Sequence, residues 1–171
     1  MCSAGVNPSV LLYTVTVAPT EALIGDGVFF KRPGVAVMWW EPTTRAVWIE
    51  WQGWADPAEF AAALEAGLGS LTEHRASRWL ADCREMKAIQ ESDQEWLDQS
   101  WFPRMIAAGL RRMAMVVPKS GLAMTNLQDI MSRVPDNRID VAFFATVAEA
   151  EQWISAPSTK TPSRLEAQKI I

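Results

Sequence analysis

Short apolar runs alternate with amphipathic segments of helical period along most of this chain. Five runs have the length and the aromatic or β-branched content typical of strands: residues 35–40, 46–51, 78–82, 113–117 and 140–145. The first two are separated by Glu41-Pro42-Thr43-Thr44, which favours a hairpin turn. Each of the last three follows a segment of helical period, the crossover that parallel neighbours require. The pattern therefore predicts one mixed sheet with helices packed on it.

The second run alternates, which divides its side chains between the two faces of the sheet. Val47, Ile49 and Trp51 lie on one face, whereas Trp48 and Glu50 lie on the other. Alternation of this kind prevents the nine tryptophans of the chain from all entering one core. We expect most indoles to be buried and some to form one aromatic surface patch that contacts a partner or ligand.

Residues 78–118 have the pattern of one βαβ unit, which is the best-defined part of the sequence. Ser92 followed by Glu95 predicts a capping box at the start of its helix. The apolar face of that helix comprises Leu97, Trp101, Met105 and Ala108. Pro103 predicts a bend within the helix, and Gly109 predicts a left-handed C-cap.

Two further helix starts are clear. Asp56-Pro57 with Glu59, and Thr146 with Glu149, both have capping-box spacing. With a third helical pattern after residue 121, the predicted order is β-β-α-β-α-β-α-β-α, an α/β fold with a single mixed sheet. We expect this domain to span residues 28–156. Residues 1–27 are predicted to be an extension of uncertain order, and 157–171 a polar tail.

Composition excludes several classes of protein. The 171 residues carry a net charge of −4 and have scattered basic residues, which argues against a nucleic-acid partner. No apolar window is long enough for an integral membrane segment, and the N-terminus lacks the basic region of a signal peptide. Two cysteines do not make a disulfide framework, so a cytoplasmic location is the simplest expectation.

No catalytic or cofactor-binding motif is present in the sequence. Cys83, between Asp82 and Arg84, is better explained as a half-buried structural residue than as a nucleophile. His74 is the single histidine, so a His/Cys metal site is excluded. Nucleotide-binding glycine loops are also lacking. We therefore expect no cofactor, no metal and no enzymatic activity.

Five stretches within residues 28–156 carry a family resemblance: Val47-Trp48-Ile49-Glu50-Trp51-Gln52-Gly53, Trp79-Leu80-Ala81-Asp82, Asp93-Gln94-Glu95-Trp96, Trp101-Phe102-Pro103, and 109–117. Together they resemble the SpoIIAA/STAS-like fold, and more narrowly bacterial STAS/SEC14-domain proteins. The resemblance implies a non-catalytic regulatory domain that binds a protein partner. A second copy of the chain is one such partner, which would give a homodimer. The SEC14 side implies the alternative, a small apolar or lipid-like anionic ligand.

Ser92 has two interpretations. Anti-sigma-factor antagonists similar to this fold carry a phosphorylatable serine at the start of the helix that follows an Asp-ended strand. Asp82 matches that strand end, and Ser92 is the only serine near the helix start, although the intervening Cys-Arg-Glu-Met-Lys-Ala-Ile-Gln-Glu departs from the Ser/Gly-rich turn of those regulators. Ser92 is therefore a candidate phosphosite by resemblance and a helix cap by its own spacing.

The carboxyl ends of the parallel strands predict where a ligand or partner binds, because loops and helix N-termini meet there. The predicted binding residues are Asp82, Arg84, Ser92, Trp96, Lys119 and Ser120. Arg84 and Lys119, with two helix N-termini, are expected to make this edge electropositive. We expect an anionic headgroup or an acidic partner segment to bind there, with Trp96 covering its apolar portion.

Overall fold

The computed structural model describes residues 27–134 and 138–157, which form one six-stranded mixed sheet with helices on both faces. The strands are β1 (Val28–Arg32), β2 (Ala36–Glu41), β3 (Ala46–Trp51), β4 (Arg78–Asp82), β5 (Arg112–Val116) and β6 (Asp140–Phe144). Their spatial order is the chain order. β1, β2 and β3 pair antiparallel, whereas β3 to β6 pair parallel. The predicted α/β fold with a single mixed sheet is confirmed.

The helices return the chain between the parallel strands. They are α1 (Pro57–Glu73), α2 (Glu91–Trp96), α3 (Phe102–Ala108), α4 (Gly121–Arg133) and α5 (Val147–Ser155), with a π turn (Leu97–Trp101) joining α2 to α3. The capping boxes of Asp56 and Thr146 both form as predicted. Gly109 ends α3 with φ 116°, the predicted left-handed cap. Each crossover runs from the carboxyl edge of one strand to the amino edge of the next.

Each face of the sheet has its own core. Val47, Ile49 and Trp51 pack with α1 to α4 in the larger cluster. Trp48 lies in the smaller cluster, where α5 covers part of the opposite face. The predicted alternation along β3 is thus confirmed, and it accounts for most of the indoles. Trp48, Trp51, Trp79 and Trp101 are buried, and Trp39, Trp40, Trp96 and Trp153 are half-buried.

Strand β1 was not among the predicted elements. It pairs with β2, but its register shifts between Val28 and Phe30. This bulge interrupts the alternation of the strand, so the sequence carries no period of two that would reveal it. Residues 1–26 and 158–171, which include most of the predicted extension and tail, lie outside the described residues. No helix in the described part of the chain is long and apolar enough to span a membrane.

The predicted cap at Ser92 is wrong. Helix α2 begins at Glu91 with Gln90 as its N-cap, and Ser92 is an exposed residue of the first turn. The backbone N–H groups of Asp93 and Gln94 donate to the Gln90 carbonyl (3.1 and 3.0 Å), which places the helix start two residues earlier than the Ser-x-x-Glu spacing predicts. The predicted bend near Pro103 takes the form of the π turn, where Phe102 N–H donates to the Leu97 carbonyl.

Candidate functional site

The loops at the carboxyl ends of β3 to β6 form a connected rim, which we define as residues 52–56, 83–90, 117–120 and 145–146. Backbone hydrogen bonds link neighbouring loops. Lys87 N–H donates to the Gly53 carbonyl (3.4 Å), Lys119 N–H to the Arg84 carbonyl (3.1 Å), and Val117 N–H to the Phe144 carbonyl (2.9 Å). The carboxyl-edge rim is therefore a surface whose loops are held in place by one another.

Asp82 and Arg84 form a fork at the centre of this rim. The Arg84 Nε donates to both carboxylate oxygens (2.9 and 3.1 Å), and its Nη2 donates to Oδ2 at 2.6 Å. This hydrogen bonding is the main cause that raises the pKa of Arg84. Glu50 is the register neighbour of Asp82. Burial, more than the nearby Asp82 charge, raises the pKa of Glu50.

The second predicted cation of the rim is also paired. Lys119 Nζ contacts the Glu85 carboxylate, and this contact lowers the pKa of Glu85. Arg84 and Lys119, the two cations that we expected to make this edge electropositive, therefore both lie against carboxylates. Ser120 accepts from Ala123 N–H at 3.4 Å and caps α4, so it has a structural role at the rim.

The other two predicted site residues lie on α2. Ser92 is exposed, as a phosphosite requires, although it is not the cap. Trp96 is half-buried with its ring at 6.5 Å from Phe60 in an edge-to-face arrangement. The structure thus brings Asp82, Arg84, Lys119 and Ser120 together at one edge. Trp96 packs against α1.

Cys83 and His74 do not form a catalytic pair. Cys83 is 1% exposed, its thiol donates to the Ala81 carbonyl at 3.8 Å, and burial raises the pKa of the thiol. His74 caps the carboxyl end of α1, at the amino edge of the sheet, and stacks on Trp40 with ring centroids 4.2 Å apart. The two residues therefore lie at opposite edges. Among the described residues, no cluster of three His, Cys, Asp or Glu side chains could hold a metal ion.

Two residues that the sequence did not single out as binding residues lie at the rim or next to it. Trp54 follows β3 and is 55% exposed, the highest value among the nine tryptophans. Asp93, on α2, is only 7% exposed and lines a small cleft together with Trp54. A signal for Trp54 was present, because it follows the Gln52-Gly53 strand end and continues no apolar stripe. Asp93 gave none, since a charged residue in a first helical turn is normally exposed.

Two larger spaces occur elsewhere in the molecule. A space of about 40 Å³ lies among apolar core side chains that include Cys83 and Trp101. A groove of about 540 Å³ lies between α3 and the end of α4. Its lining residues are Asp98, Phe102, Pro103, Ile106, Arg133, Val134 and Arg138. In this groove, Arg133 forms an ion pair with Asp98.

Comparison with known proteins identifies the family. The SpoIIAA-like family model matches residues 46–155, from β3 to the end of α5 and more than half of the chain. Strands β1 and β2 precede the matched region. No curated protein and no solved structure matches the chain. The family match agrees with the mixed sheet, the crossover helices and the Asp-ended β4 described above, and the chain belongs to the SpoIIAA-like family.

Proposed function

We propose that this protein is a non-catalytic regulatory domain of the STAS type, which binds a protein partner through its carboxyl-edge rim. The observation that supports this proposal most is the exposed indole of Trp54 at that edge. Large aromatic side chains are enriched at the centres of protein interfaces, where they bury much area at a low cost in side-chain entropy. A 55% exposed tryptophan on a connected rim is a suitable anchor.

A second exposed apolar side chain lies just beyond a rim loop. Leu122, in the first turn of α4, is 65% exposed and stands two residues after the rim residue Ser120. The Asp82–Arg84 fork and the Glu85–Lys119 pair add charged groups to the same edge of the sheet. Apolar anchors beside paired polar groups resemble the composition of a protein interface. A second copy of the chain is one partner that this surface could accept.

The exposed Ser92 would allow a kinase to regulate this binding. A phosphate there would add about two negative charges on the first turn of α2, close to the rim. The free, buried Cys83 is compatible with the reducing cytoplasm in which we place the protein.

The second candidate function is binding of a small apolar or lipid-like anionic ligand. Ligand pockets usually measure about 300–1,000 Å³, so the core space of about 40 Å³ is too small for such a ligand. The groove between α3 and α4 has the required volume. Phe102 and Ile106 contribute apolar lining, and Arg133 and Arg138 contribute cationic lining. This candidate thus has its own site, separate from the rim.

Site-specific photo-cross-linking in cells that produce the protein naturally would test the proposal. Position 54 receives a benzophenone amino acid, and position 143 receives the same group as the control. Phe143 on β6 is also an exposed large apolar side chain, 36% exposed, but it is not in a rim loop. We expect a protein adduct of defined mass from position 54 and none from position 143.

The affinity of the cross-linked partner provides the second measurement. We expect Trp54→Ala to weaken its binding about tenfold or more, as loss of an interface anchor does, and Phe143→Ala to leave it unchanged. Absence of a protein adduct at position 54, together with a small molecule retained in native mass spectrometry, would refute the rim proposal and favour the groove.

A further inference from the structure

A small cleft lies in the rim where the loop after β3 meets the loop after β4. Its walls come from Gly53 and Trp54 on the first loop, Met86 and Lys87 on the second, and Asp93 on α2. The free space is about 10 Å³. A cavity of roughly this measure accommodates one water-sized group, provided that polar partners line it.

Asp93 is the acidic residue of this cleft, and its carboxylate has no hydrogen-bond or ion-pair partner among the described residues. Its residue is more than nine-tenths buried, at 7% exposure. Within residues 27–134 and 138–157, no side-chain hydrogen bond or ion pair involves this carboxylate, although its backbone N–H donates to Gln90. Burial, with a smaller contribution from the nearby Asp56, raises the pKa of Asp93. A carboxylate that is partly desolvated in such a cleft favours any group that supplies hydrogen-bond donors and positive charge.

Trp54 supplies a second feature that suits a cation. Its indole is 55% exposed and lines the same cleft as Asp93. The face of an indole attracts ammonium groups, and tryptophan does so more strongly than other aromatic residues. Lys87 also lines the cleft, but its side chain is exposed and makes no ion pair with Asp93. The chain's own cation therefore leaves the carboxylate available.

We propose that this cleft binds a primary ammonium group, that of a lysine side chain on the protein partner. The ammonium donates to the Asp93 carboxylate, and the Trp54 indole covers the methylene stem. An ammonium is a compact point charge of about the size of water, whereas a guanidinium is a larger planar fork. The volume of the cleft therefore selects lysine over arginine. The proposal rests on the proposed function only in naming a protein as the source of the amine.

A lysine analogue tests the site without knowledge of the partner. Nα-acetyl-lysine methylamide is titrated into the full chain, and binding is followed by NMR through the indole N–H resonance that Trp54→Ala removes. The controls are the norleucine analogue, which has a similar length and no charge, and the arginine analogue. We expect saturable binding of the lysine analogue, weaker binding of the arginine analogue and none of the norleucine analogue.

Two variants examine the residues separately. Asp93→Asn keeps the shape and removes the charge, and we expect about a tenfold or greater loss of affinity, because a charged hydrogen bond is lost. Trp54→Ala should lower the affinity for the lysine analogue about threefold. Asp129→Asn makes the same chemical change at an exposed position of α4 and should have no effect. Asp93→Asn should also raise the thermal midpoint, because it removes an unpaired buried charge.

The outcomes separate this proposal from the proposed function. Binding of the lysine analogue that Asp93→Asn does not weaken, or equal binding of the norleucine analogue, would overturn the ammonium site. No binding at all would mean that the cleft holds a water molecule only, which also overturns it. If a protein adduct forms at position 54 in either of these cases, the rim proposal still stands. Conversely, analogue binding without a protein adduct would leave an amine site and refute the partner proposal.

Discussion

Two glycines of α1 provide a matched test of how closely this helix packs on the sheet. A Cβ at Gly67 would lie 2.3 Å from the Trp79 ring and 2.6 Å from the Met38 methyl group, whereas a Cβ at Gly69 would meet nothing within 4 Å. Both residues lie inside the same helix, so alanine gains about 1 kcal/mol of helix propensity at either position. The steric cost applies to Gly67 alone.

The magnitude follows from the neighbours of Gly67. Trp79 is 2% exposed and Met38 is 0% exposed, so neither side chain has free space into which it could move. Overpacking of such a core costs about 1–3 kcal/mol. We therefore expect Gly69→Ala to raise the free energy of unfolding by about 1 kcal/mol. We expect the free energy of unfolding of Gly67→Ala to be lower than that of Gly69→Ala by about 1–3 kcal/mol.

Urea unfolding followed by circular dichroism measures both variants against the natural chain. Because the propensity gain is common to the two, their difference isolates the contact between α1 and the sheet. Equal midpoints for Gly67→Ala and Gly69→Ala would show that the helix can move away from Trp79 without cost, and would refute the close packing described here. A changed denaturant slope would indicate a different denatured state, so the comparison requires equal slopes.

Three other predictions concern the rim, the helix starts and the boundaries of the domain. Arg84→Ala should lower the free energy of unfolding by about 1–3 kcal/mol, because the largely buried Asp82 carboxylate loses its side-chain partner and keeps the backbone N–H of residue 84 as a donor. Lys119→Ala breaks an exposed ion pair, so its free energy of unfolding should lie within about 0.5 kcal/mol of that of the natural chain. An equal loss of stability in Arg84→Ala and Lys119→Ala would contradict this distinction. Thr146→Ala should lower the free energy of unfolding by about 1 kcal/mol in the same assay, because Thr146 caps α5. Ser92→Ala should lower it by about 0.5 kcal/mol at most, because Ser92 does not cap α2. A fragment of residues 28–157 should unfold cooperatively, and a broad calorimetric transition would show that the flanking residues are needed.

Local patterns predicted most of the fold. The helix starts at Asp56 and Thr146 depend on side chains three residues apart, and the two faces of β3 depend on a period of two. Such features can be read from a single sequence because the interacting residues are neighbours in the chain. Gly109 was predictable for the same reason, since a left-handed C-cap needs no distant contact.

What the sequence did not predict has one local cause and one long-range cause. Ser92 has the right spacing for a cap, but the helix starts at the Gln90 carbonyl, and Gln94 Nε2 also donates to the Ile89 carbonyl at 2.9 Å. The sequence also did not predict that Lys119 contacts Glu85, 34 residues away in the chain. No spacing rule connects the loops after β4 and β5, so this pairing required the folded sheet.

Trp54 and Asp93 both break a local rule at the same place. A large indole is left in solvent, and the carboxylate of a largely buried residue has no partner among residues 27–134 and 138–157. Either feature alone could be a tolerated defect, because exposed apolar residues are common and proteins are not optimised for stability. Their convergence on one cleft is harder to explain by tolerance, since sequences that fold well usually satisfy every local preference except where function requires otherwise. One compact cation would satisfy both, because the charge would pair with Asp93 while the attached chain would cover the Trp54 indole. The stability that Asp93→Asn is expected to gain would therefore measure what the protein gives up to keep this site available.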